Sequence, residues 1–385
     1  MCVKRKPKIL IALNTTWNLV NFRAGLIQAL LASGFDVVAV APPDDYVDRL
    51  VALGCRYQPL SMDNKGTNPF RDVVLFLNFL RLLRKERPDC LLGYTVKPNI
   101  YGSLAAHVLG TPVINNVSGL GTAFIRGGWM NRVVSRLYRV AFSRSAKVFF
   151  QNRDDLELFS ECGLVDAERA DRLPGSGVDL RRFEFRPLEQ RNRTVFLMVA
   201  RLLWDKGVGE YVAAARRVKQ RYPFATFRLL GFLGAENRTA VPASVVQDWV
   251  SEGLIEYVGS ADDVRPHLAD ADCVVLPSYR EGAPRSLLEA AAMGRPIITT
   301  NVPGCRDVVD DGLNGFLCRP KDADDLADQM GRFLALPFEA RQAMGRSGRR
   351  KMEREFDEQV VIDRYIAAIR GVISAREACI LSRSS

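Results

Sequence analysis

A chain of 385 residues is too long for one comfortable hydrophobic core and suits two domains of ordinary size, and 48% apolar with 25% charged residues excludes disorder. The net charge of +10 is unevenly spread: residues 1–190 hold 26 Lys and Arg against 18 Asp and Glu, the remainder 28 against 26, so the basic surface belongs to the first half. Eight cysteines, at 2, 55, 90, 162, 273, 305, 318 and 379, form no C-x-x-C pair and several sit in apolar runs, which argues for small buried hydrophobes in a reducing cytoplasm over a disulfide framework or a zinc site.

No run of about 18 apolar residues occurs. Lys4-Arg5-Lys6-Pro7 leads into only a short apolar run without a cleavage pattern, so neither a membrane span nor export is expected. In chain order, Lys8 to Leu13 reads as a strand, Phe22 to Ser33 as a helix stopped by Gly34, and Asp36 to Val40 as a strand closed by Pro42-Pro43. Helices follow at Tyr46 to Leu53 and Val73 to Lys85, a strand at Cys90 to Leu92, a helix at Tyr101 to Leu109, and a strand at Pro112 to Val117 that runs into the loop Ser118-Gly-Leu-Gly-Thr122. Strands alternating with helices argue a parallel sheet covered on both faces.

From Trp129 to Ser143 the pattern is a basic amphipathic helix: Arg132, Arg136, Arg139 and Ser143 recur at helical spacing, with Val133, Val134, Leu137, Val140 and Ala141 between them. No acidic residue lies between Asp89 and Asp154, and the same segment adds Lys97, Arg126, Arg144, Lys147 and Arg153. An ordinary surface helix fits this pattern. So does the 129–147 region lying on an anionic membrane surface, where each basic residue contributes roughly 1 kcal/mol. Lys147 to Gln151 is then a strand, Asp154 to Cys162 a helix, Ala170 to Asp179 a strand and turn, and the charged run Arg181 to Arg193 an interdomain linker.

The second half restarts the alternation. Strands at Thr194 to Ala200, Thr226 to Leu230, Ile255 to Val258, Cys273 to Leu276 and Pro296 to Thr300 alternate with helices at Val208 to Gln220, Ala243 to Glu252, Val264 to Ala269, Leu287 to Met293 and Ala323 to Leu334. Terminal helices are expected at Glu339 to Glu355 and Asp357 to Gly371, and the tail from Arg376 has no pattern. The expected domains are therefore 1–182, 191–355 and a terminal segment 356–375.

Two loops in this half carry chemistry. Arg201 and Lys206 follow directly on a buried strand, and Lys206-Gly207 opens a helix, which makes an anion site suited to a phosphate or diphosphate. Gly282-Ala283 bend at another helix start on the same expected sheet edge, the edge where parallel sheets keep their ligands. Glu289 lies some five residues into that helix, so its carboxylate is roughly 7–8 Å behind the loop, a depth suited to the hydroxyls of a ribose whose diphosphate faces the loop. Two D-x-D matches, Asp270-Ala-Asp272 and Asp322-Ala-Asp324, precede a strand and open a helix, and read as capping or surface carboxylates rather than metal ligands.

Arg201 with Lys206-Gly207, the stretch Pro277-Ser-x-x-Glu-Gly-x-Pro-x-x-Leu-Leu-Glu-Ala-x-Ala-x-Gly-x-Pro296, Pro303-Gly304 and Asp311-Gly-x-Asn-Gly-Phe316 together resemble family 4 of the retaining nucleotide-sugar glycosyltransferases, over about residues 195–330. Asn14 to Arg23, Thr95 to Ser103 and Ser118 to Thr122 are similar to the branch that extends polyprenyl-diphosphate-linked glycans of bacterial surface polysaccharides. The resemblance implies an α/β architecture of two Rossmann-like domains facing across a cleft (GT-B), with the last helix crossing back to the first domain. It implies transfer from a nucleotide-sugar, UDP-linked by expectation, without a metal cofactor, on the inner face of the plasma membrane, with no nucleic acid involved. By the same analogy Arg201 and Lys206 hold the donor diphosphate and Glu281 lies at the donor sugar, the three forming the catalytic set. Gly282, Ala283, Pro284, Arg285, Ser286 and Glu289 bind the rest of the donor, with Glu289 on the ribose and Gly259 and Val264 near the base.

Two departures stand out. Relatives place a histidine at the end of the first-domain strand that enters the cleft, but this chain has Asn115-Asn-Val-Ser-Gly119 there, and its only histidines are His107 and His267. Asn116 and Ser118 can hydrogen-bond a sugar, yet neither is a general base at neutral pH. The usual glycine-rich turn after the first strand is replaced by Asn14-Thr-Thr-Trp-Asn18, which assigns Asn14, Thr15, Arg23 and Lys97, with Asn116 and Ser118, to a diphosphate-bearing acceptor. A catalytically silent nucleotide-sugar-binding subunit, and an epimerase or phosphorylase on the same architecture, are the rival readings. A glycosidase leaves the diphosphate cations unexplained, and no G-x-G-x-x-G follows either first strand, which disfavours a dehydrogenase.

Overall fold

The short apolar runs become strands buried on both faces of parallel sheets in a computed structural model of the chain, which describes residues 5–63, 68–119, 129–234, 237 and 239–384. The chain divides into two units, residues 1–176 with 359–385, and residues 177–358.

The first unit is a seven-stranded parallel sheet in the order β3-β2-β1-β4-β5-β6-β7. Its strands are β1 (Lys8–Ala12), β2 (Asp36–Ala41), β3 (Arg56–Pro59), β4 (Cys90–Tyr94), β5 (Val113–Val117), β6 (Lys147–Phe150) and β7 (Ala170–Arg172). Alternation along β1 divides the core between two layers. Ile9 and Ile11 pack with Leu19, Ile27 and Leu30 of helix α1 (Thr16–Ala32) and with Val361, Ile362, Tyr365 and Ile369 of the terminal helix. Leu10 and Ala12 pack with Leu75, Phe79 and Leu83 of a long helix, Pro69–Glu86, on the other face.

The second unit is a six-stranded parallel sheet in the order β10-β9-β8-β11-β12-β13, built from β8 (Thr194–Val199), β9 (Ala225–Leu230), β10 (Glu256–Tyr257), β11 (Cys273–Leu276), β12 (Ile297–Thr300) and β13 (Gly315–Cys318). The central strands β8 and β11 lie where the order reverses, so the loops that leave their carboxyl ends open side by side.

Several elements differ from the sequence-based expectation. The first helix begins at Thr16, six residues before Phe22, because Thr15 caps it and the Asp44 carboxylate accepts the Thr16 and Trp17 N–H groups at 2.9 and 3.2 Å. The edge strands β3 and β13 were not expected: β3 is a short polar run, and β13, though apolar, is only four residues long and begins at a glycine directly after the turn Asp311-Gly-Leu-Asn314. The run 181–193 is not a free linker: Phe183 and Leu188 are buried in the second unit, the Arg186 N–H donates to Met293 O, and Arg191 pairs with Asp270. The unit boundaries thus fall at 176/177 and 358/359 rather than around 182–191 and at 355/356. The tail from Arg376 continues the terminal helix, Glu358–Ser384. Of the loop Ser118 to Thr122, only Ser118 and Gly119 lie within the described residues.

Candidate active site

Two loops are sewn together at the carboxyl edge of the second sheet. The first leaves β8 and ends at Gly207, whose φ of +76° is left-handed and whose missing Cβ would sit 2.1 Å from Pro277 O, so only glycine admits this approach. The Tyr279 N–H donates to Asp205 O at 3.0 Å and the Ser278 hydroxyl to the same oxygen at 3.2 Å. The far side of the β11 loop is held by the turn at Gly304, also left-handed at +80°, where a Cβ would lie 2.4 Å from Gly282 O, and by the Glu281 N–H donating to Pro303 O at 3.2 Å.

This stitching brings Lys206 and Glu281 into an ion pair, with both side chains less than a fifth exposed. Arg201, at the end of β8, is exposed, and among the described residues no carboxylate pairs with it. Tyr279 donates its hydroxyl to Glu210 at 2.6 Å and lies under the Lys321 ammonium, which is 5.0 Å from the ring centroid. Burial pushes the Tyr279 phenol above its ordinary range, and the hydrogen bond to the Glu210 carboxylate pushes it further.

Glu289 is the fifth residue of the helix Arg285–Ala292, whose next positions, Ala290, Ala291 and Ala292, are fully buried. Its carboxylate takes the Arg285 guanidinium at 2.8 Å. Burial raises the Glu289 carboxyl, with Arg285 and then Arg182 pulling it down and Asp263 pushing it up. Arg182 and Asp263 line a cavity of 380 Å³ together with Arg181, Glu184 and Arg265, and Val264 stands between two of these lining residues in sequence. Gly259, at φ +79°, accepts the Gly231 N–H at 2.8 Å, and Gly231 in turn sits where a Cβ would meet Ala200 O at 1.9 Å. The exits of β8, β9 and β10 are therefore in mutual contact. Gly282 and Pro284 are buried, while Ala283 in the same loop and Ser286 in the first turn of the helix are half-buried.

The D-x-D carboxylates are committed to the fold. Asp270 pairs with Arg191 and Arg228, and Asp272, expected at the surface or as a cap, is instead buried and accepts the Val195 N–H at 2.7 Å. Asp322 caps its helix, accepting from the Asp324 and Asp325 N–H groups.

In the first unit the expected acceptor residues are less free than their sequence suggests. Asn14 accepts from Asn18 Nδ2 at 3.0 Å, and Thr15 is engaged as the helix cap. Asp44 already occupies the amides at the start of α1, a carboxylate that the reading of a diphosphate loop missed although it follows Pro42-Pro43 at the end of β2. Lys97 pairs with Asp72 at 2.7 Å. Arg23 is buried over the Tyr94 ring, 4.4 Å from its centroid. Asn116 Oδ1 accepts from Ser118 Oγ at 2.9 Å and from Gln151 Nε2 at 3.2 Å. Around these, Arg23 Nε is buried without a hydrogen-bond partner, and the Tyr365 hydroxyl stands against the Tyr94 hydroxyl and the Asn116 amide. The tyrosines were not read from the sequence, and Tyr365 could not have been, since it arrives on the terminal helix more than 200 residues later.

Two parallel-sheet α/β domains, the second ending in paired cation and carboxylate loops, define a glycosyltransferase of the GT-B fold. The chain belongs to the family 4-like glycosyltransferases: residues 193–335 match the family "Glycosyl transferases group 1" and residues 21–176 the "Glycosyl transferase 4-like domain". It is 27% identical over 370 residues, 92% of this chain and 96% of the relative, to an N,N'-diacetylbacillosaminyl-diphospho-undecaprenol alpha-1,3-N-acetylgalactosaminyltransferase of Campylobacter jejuni subsp. jejuni serotype O:2. It is 26% identical to an Escherichia coli UDP-Gal:alpha-D-GlcNAc-diphosphoundecaprenol alpha-1,3-galactosyltransferase, covering 68% of this chain and 70% of that one. Among solved structures, Anabaena HepE in complex with UDP and glucose superposes with a TM-score of 0.74 at 20% identity, covering 94% of this chain and 98% of that one.

Proposed function

We propose that the chain transfers a sugar from a UDP-sugar to a polyprenyl-diphosphate-linked glycan, with retention and without a metal ion, during assembly of a bacterial polysaccharide or glycan. The observation that carries this reading is the Lys206–Glu281 pair, held by Gly207 and Gly304 at the sheet edge, with exposed Arg201 on the same loop as Lys206 and Glu289 just over one turn into the following helix. Breaking the bond between the anomeric carbon and the diphosphate oxygen builds negative charge on the leaving group, which Arg201 and Lys206 stabilise. Glu281 faces the oxocarbenium-like sugar, and Glu289 accepts hydrogen bonds from the ribose hydroxyls. The acceptor hydroxyl bonds to the same face of the anomeric carbon, and its proton passes to the departing phosphate oxygen. Metal independence is supported by the commitment of Asp270, Asp272 and Asp322 to structural partners.

The acceptor reading draws on the names of the two relatives, both of which act on diphospho-undecaprenol substrates, and the donor reading on UDP in the HepE complex. Arg23 Nε, a buried donor that lacks a partner, is the group that an acceptor oxygen would satisfy. Action at the inner face of the plasma membrane is part of the proposal. Among the described residues no helix is long and apolar enough to cross a membrane. The basic helix Trp129–Phe142 leaves Arg132 and Arg136 exposed, whereas Arg139 donates to the carbonyls of Cys162 and Gly163 and so serves the fold.

The test is incubation of labelled UDP-sugars with undecaprenyl-diphosphate glycans, with the anomer of the product read by NMR and EDTA in a parallel arm. Acceptor-dependent UDP release with an α-linked product from an α-donor is expected, and Lys206→Ala is expected to lower kcat by about two to three orders of magnitude. Donor binding without transfer to any acceptor would leave a silent binding subunit, and conversion of one UDP-sugar into its epimer without acceptor would favour an epimerase. Inversion, or loss of activity in EDTA, would overturn the mechanism.

A further inference from the structure

The helix Pro69–Glu86 carries apolar residues on two faces. Leu75, Phe79, Leu82 and Leu83 are buried in the first unit, whereas Phe70, Val73, Val74 and Leu77 are 81, 58, 54 and 41% exposed. Spacing of three and four residues puts these four on one outward stripe. Arg81, Arg84 and Lys85 continue that stripe through the second half of the helix and are exposed; at about 100° per residue, Arg81 points within about 20° of Phe70. The acids of the helix serve the opposite side: Asp72 holds Lys97 at 2.7 Å and the Tyr101 hydroxyl at 2.8 Å, and Glu86 takes Lys8 and Arg56, both at 3.1 Å. Arg71, on the flank, pairs with Asp63 at 3.0 Å. The outward face is therefore apolar at one end, cationic at the other, and bears no carboxylate.

We propose that this face docks the chain on an anionic lipid bilayer, with Phe70, Val73, Val74 and Leu77 entering the boundary between headgroups and acyl chains and Arg81, Arg84 and Lys85 resting on lipid phosphates. A contiguous exposed apolar stripe marks an interaction surface, and its basic extension selects the partner. Against a second copy of the same stripe, the three cations would meet either like charges or apolar side chains, with no acid to receive them; an anionic surface receives all of them at once. The surface deepens the reading of a lipid-linked acceptor and rests on it for its purpose. It is separate from the basic helix Trp129–Phe142.

The experiment uses the full chain in sedimentation with phosphatidylglycerol-containing and pure phosphatidylcholine vesicles. Its variants are Phe70→Ser with Leu77→Ser, the triple Arg81→Gln, Arg84→Gln and Lys85→Gln, and Arg132→Gln with Arg136→Gln, each checked by circular dichroism and by its thermal shift with UDP. Wild type is expected to sediment with the anionic vesicles only. The cationic triple should bind roughly five-fold more weakly per cation removed, on the order of a hundred-fold in all, and the serine variant should stay in solution, with the UDP shift unchanged in both. Vesicle binding that survives the serine variant overturns the proposal, as does release by the Arg132 and Arg136 substitutions alone. A dimer in sedimentation velocity that Phe70→Ser with Leu77→Ser dissolves, without any vesicle binding by wild type, would make the face a contact between copies instead. Vesicle binding as expected with no transfer to any lipid-linked glycan would sink the acceptor reading and leave this surface standing.

Discussion

Gly207 shows how little room the site leaves at the level of single residues. A methyl group there would overlap Pro277 O, 2.1 Å away, and the backbone would resist its φ of +76°. Gly207→Ala is expected to displace the loop that carries Lys206 and to lower kcat/KM by about ten- to a hundred-fold, with a fall in stability on the order of 1–3 kcal/mol, measured by steady-state kinetics and urea unfolding. Glu289 behaves in the opposite sense. Burial raises its carboxyl above the ordinary value near 4.5, so the folded state takes up this proton more readily than the unfolded one. The charged form therefore costs stability at neutral pH, and the cost disappears as pH falls through the raised value and below the ordinary one. Glu289→Gln should accordingly withstand more urea than wild type at neutral pH, by a margin that shrinks on acidification, while binding UDP more weakly. A variant less stable than wild type at neutral pH would show that Glu289 is held by its Arg285 pair more than it is opposed by burial.

At the level of elements, helix ends and buried hydrogen bonds set the shape of the second unit. Asp322 caps the helix Ala323–Ala335 through two backbone N–H groups, and Asp322→Ala is expected to cost about 1 kcal/mol in chemical denaturation without changing kcat. Arg295 is 2% exposed and donates to the carbonyls of Ala271 at 3.0 Å and Met293 at 3.2 Å, and to Arg186 O; burial lowers its guanidinium to about 10. It ties the 181–193 run to the sheet, and Arg295→Ala, which strands those carbonyls, is expected to lower the melting temperature by several degrees. Most elements were legible in the chain because a buried parallel strand is a continuous apolar run and a helix end needs a glycine or a cap. The first turn of α1 was not legible, since Asp44, a residue from another loop, stabilises it. The edge strand β3 was equally hidden, because it buries too little to demand an apolar run.

On the scale of the whole molecule, the terminal helix joins the first unit although nearly 200 residues of the second unit precede it in the chain. Tyr365 packs at 6.0 Å from Tyr94 and 5.1 Å from Phe149, ring centroid to centroid, and Ile369 is fully buried there. A chain truncated after Glu358 is therefore expected to expose the α1 side of that sheet, bind ANS and lose protease resistance in its first half while its second half keeps UDP binding. Intact resistance in the first half would refute the structural role of the helix.

By itself the chain determined two parallel α/β domains, the loop with Arg201 and Lys206, and the E-x₇-E pair, because local spacing alone decides which residues leave a buried strand together or share one turn of a helix. Tertiary structure decided that Lys206 meets Glu281, that Asp44 fills the start of α1, that Arg23 and Asn116 share a buried polar cluster with Tyr365, and that one stripe of the helix Pro69–Glu86 is left uncovered. Each of these depends on segments far apart in the chain arriving, or failing to arrive, at one place, and no periodicity within a segment records its neighbours.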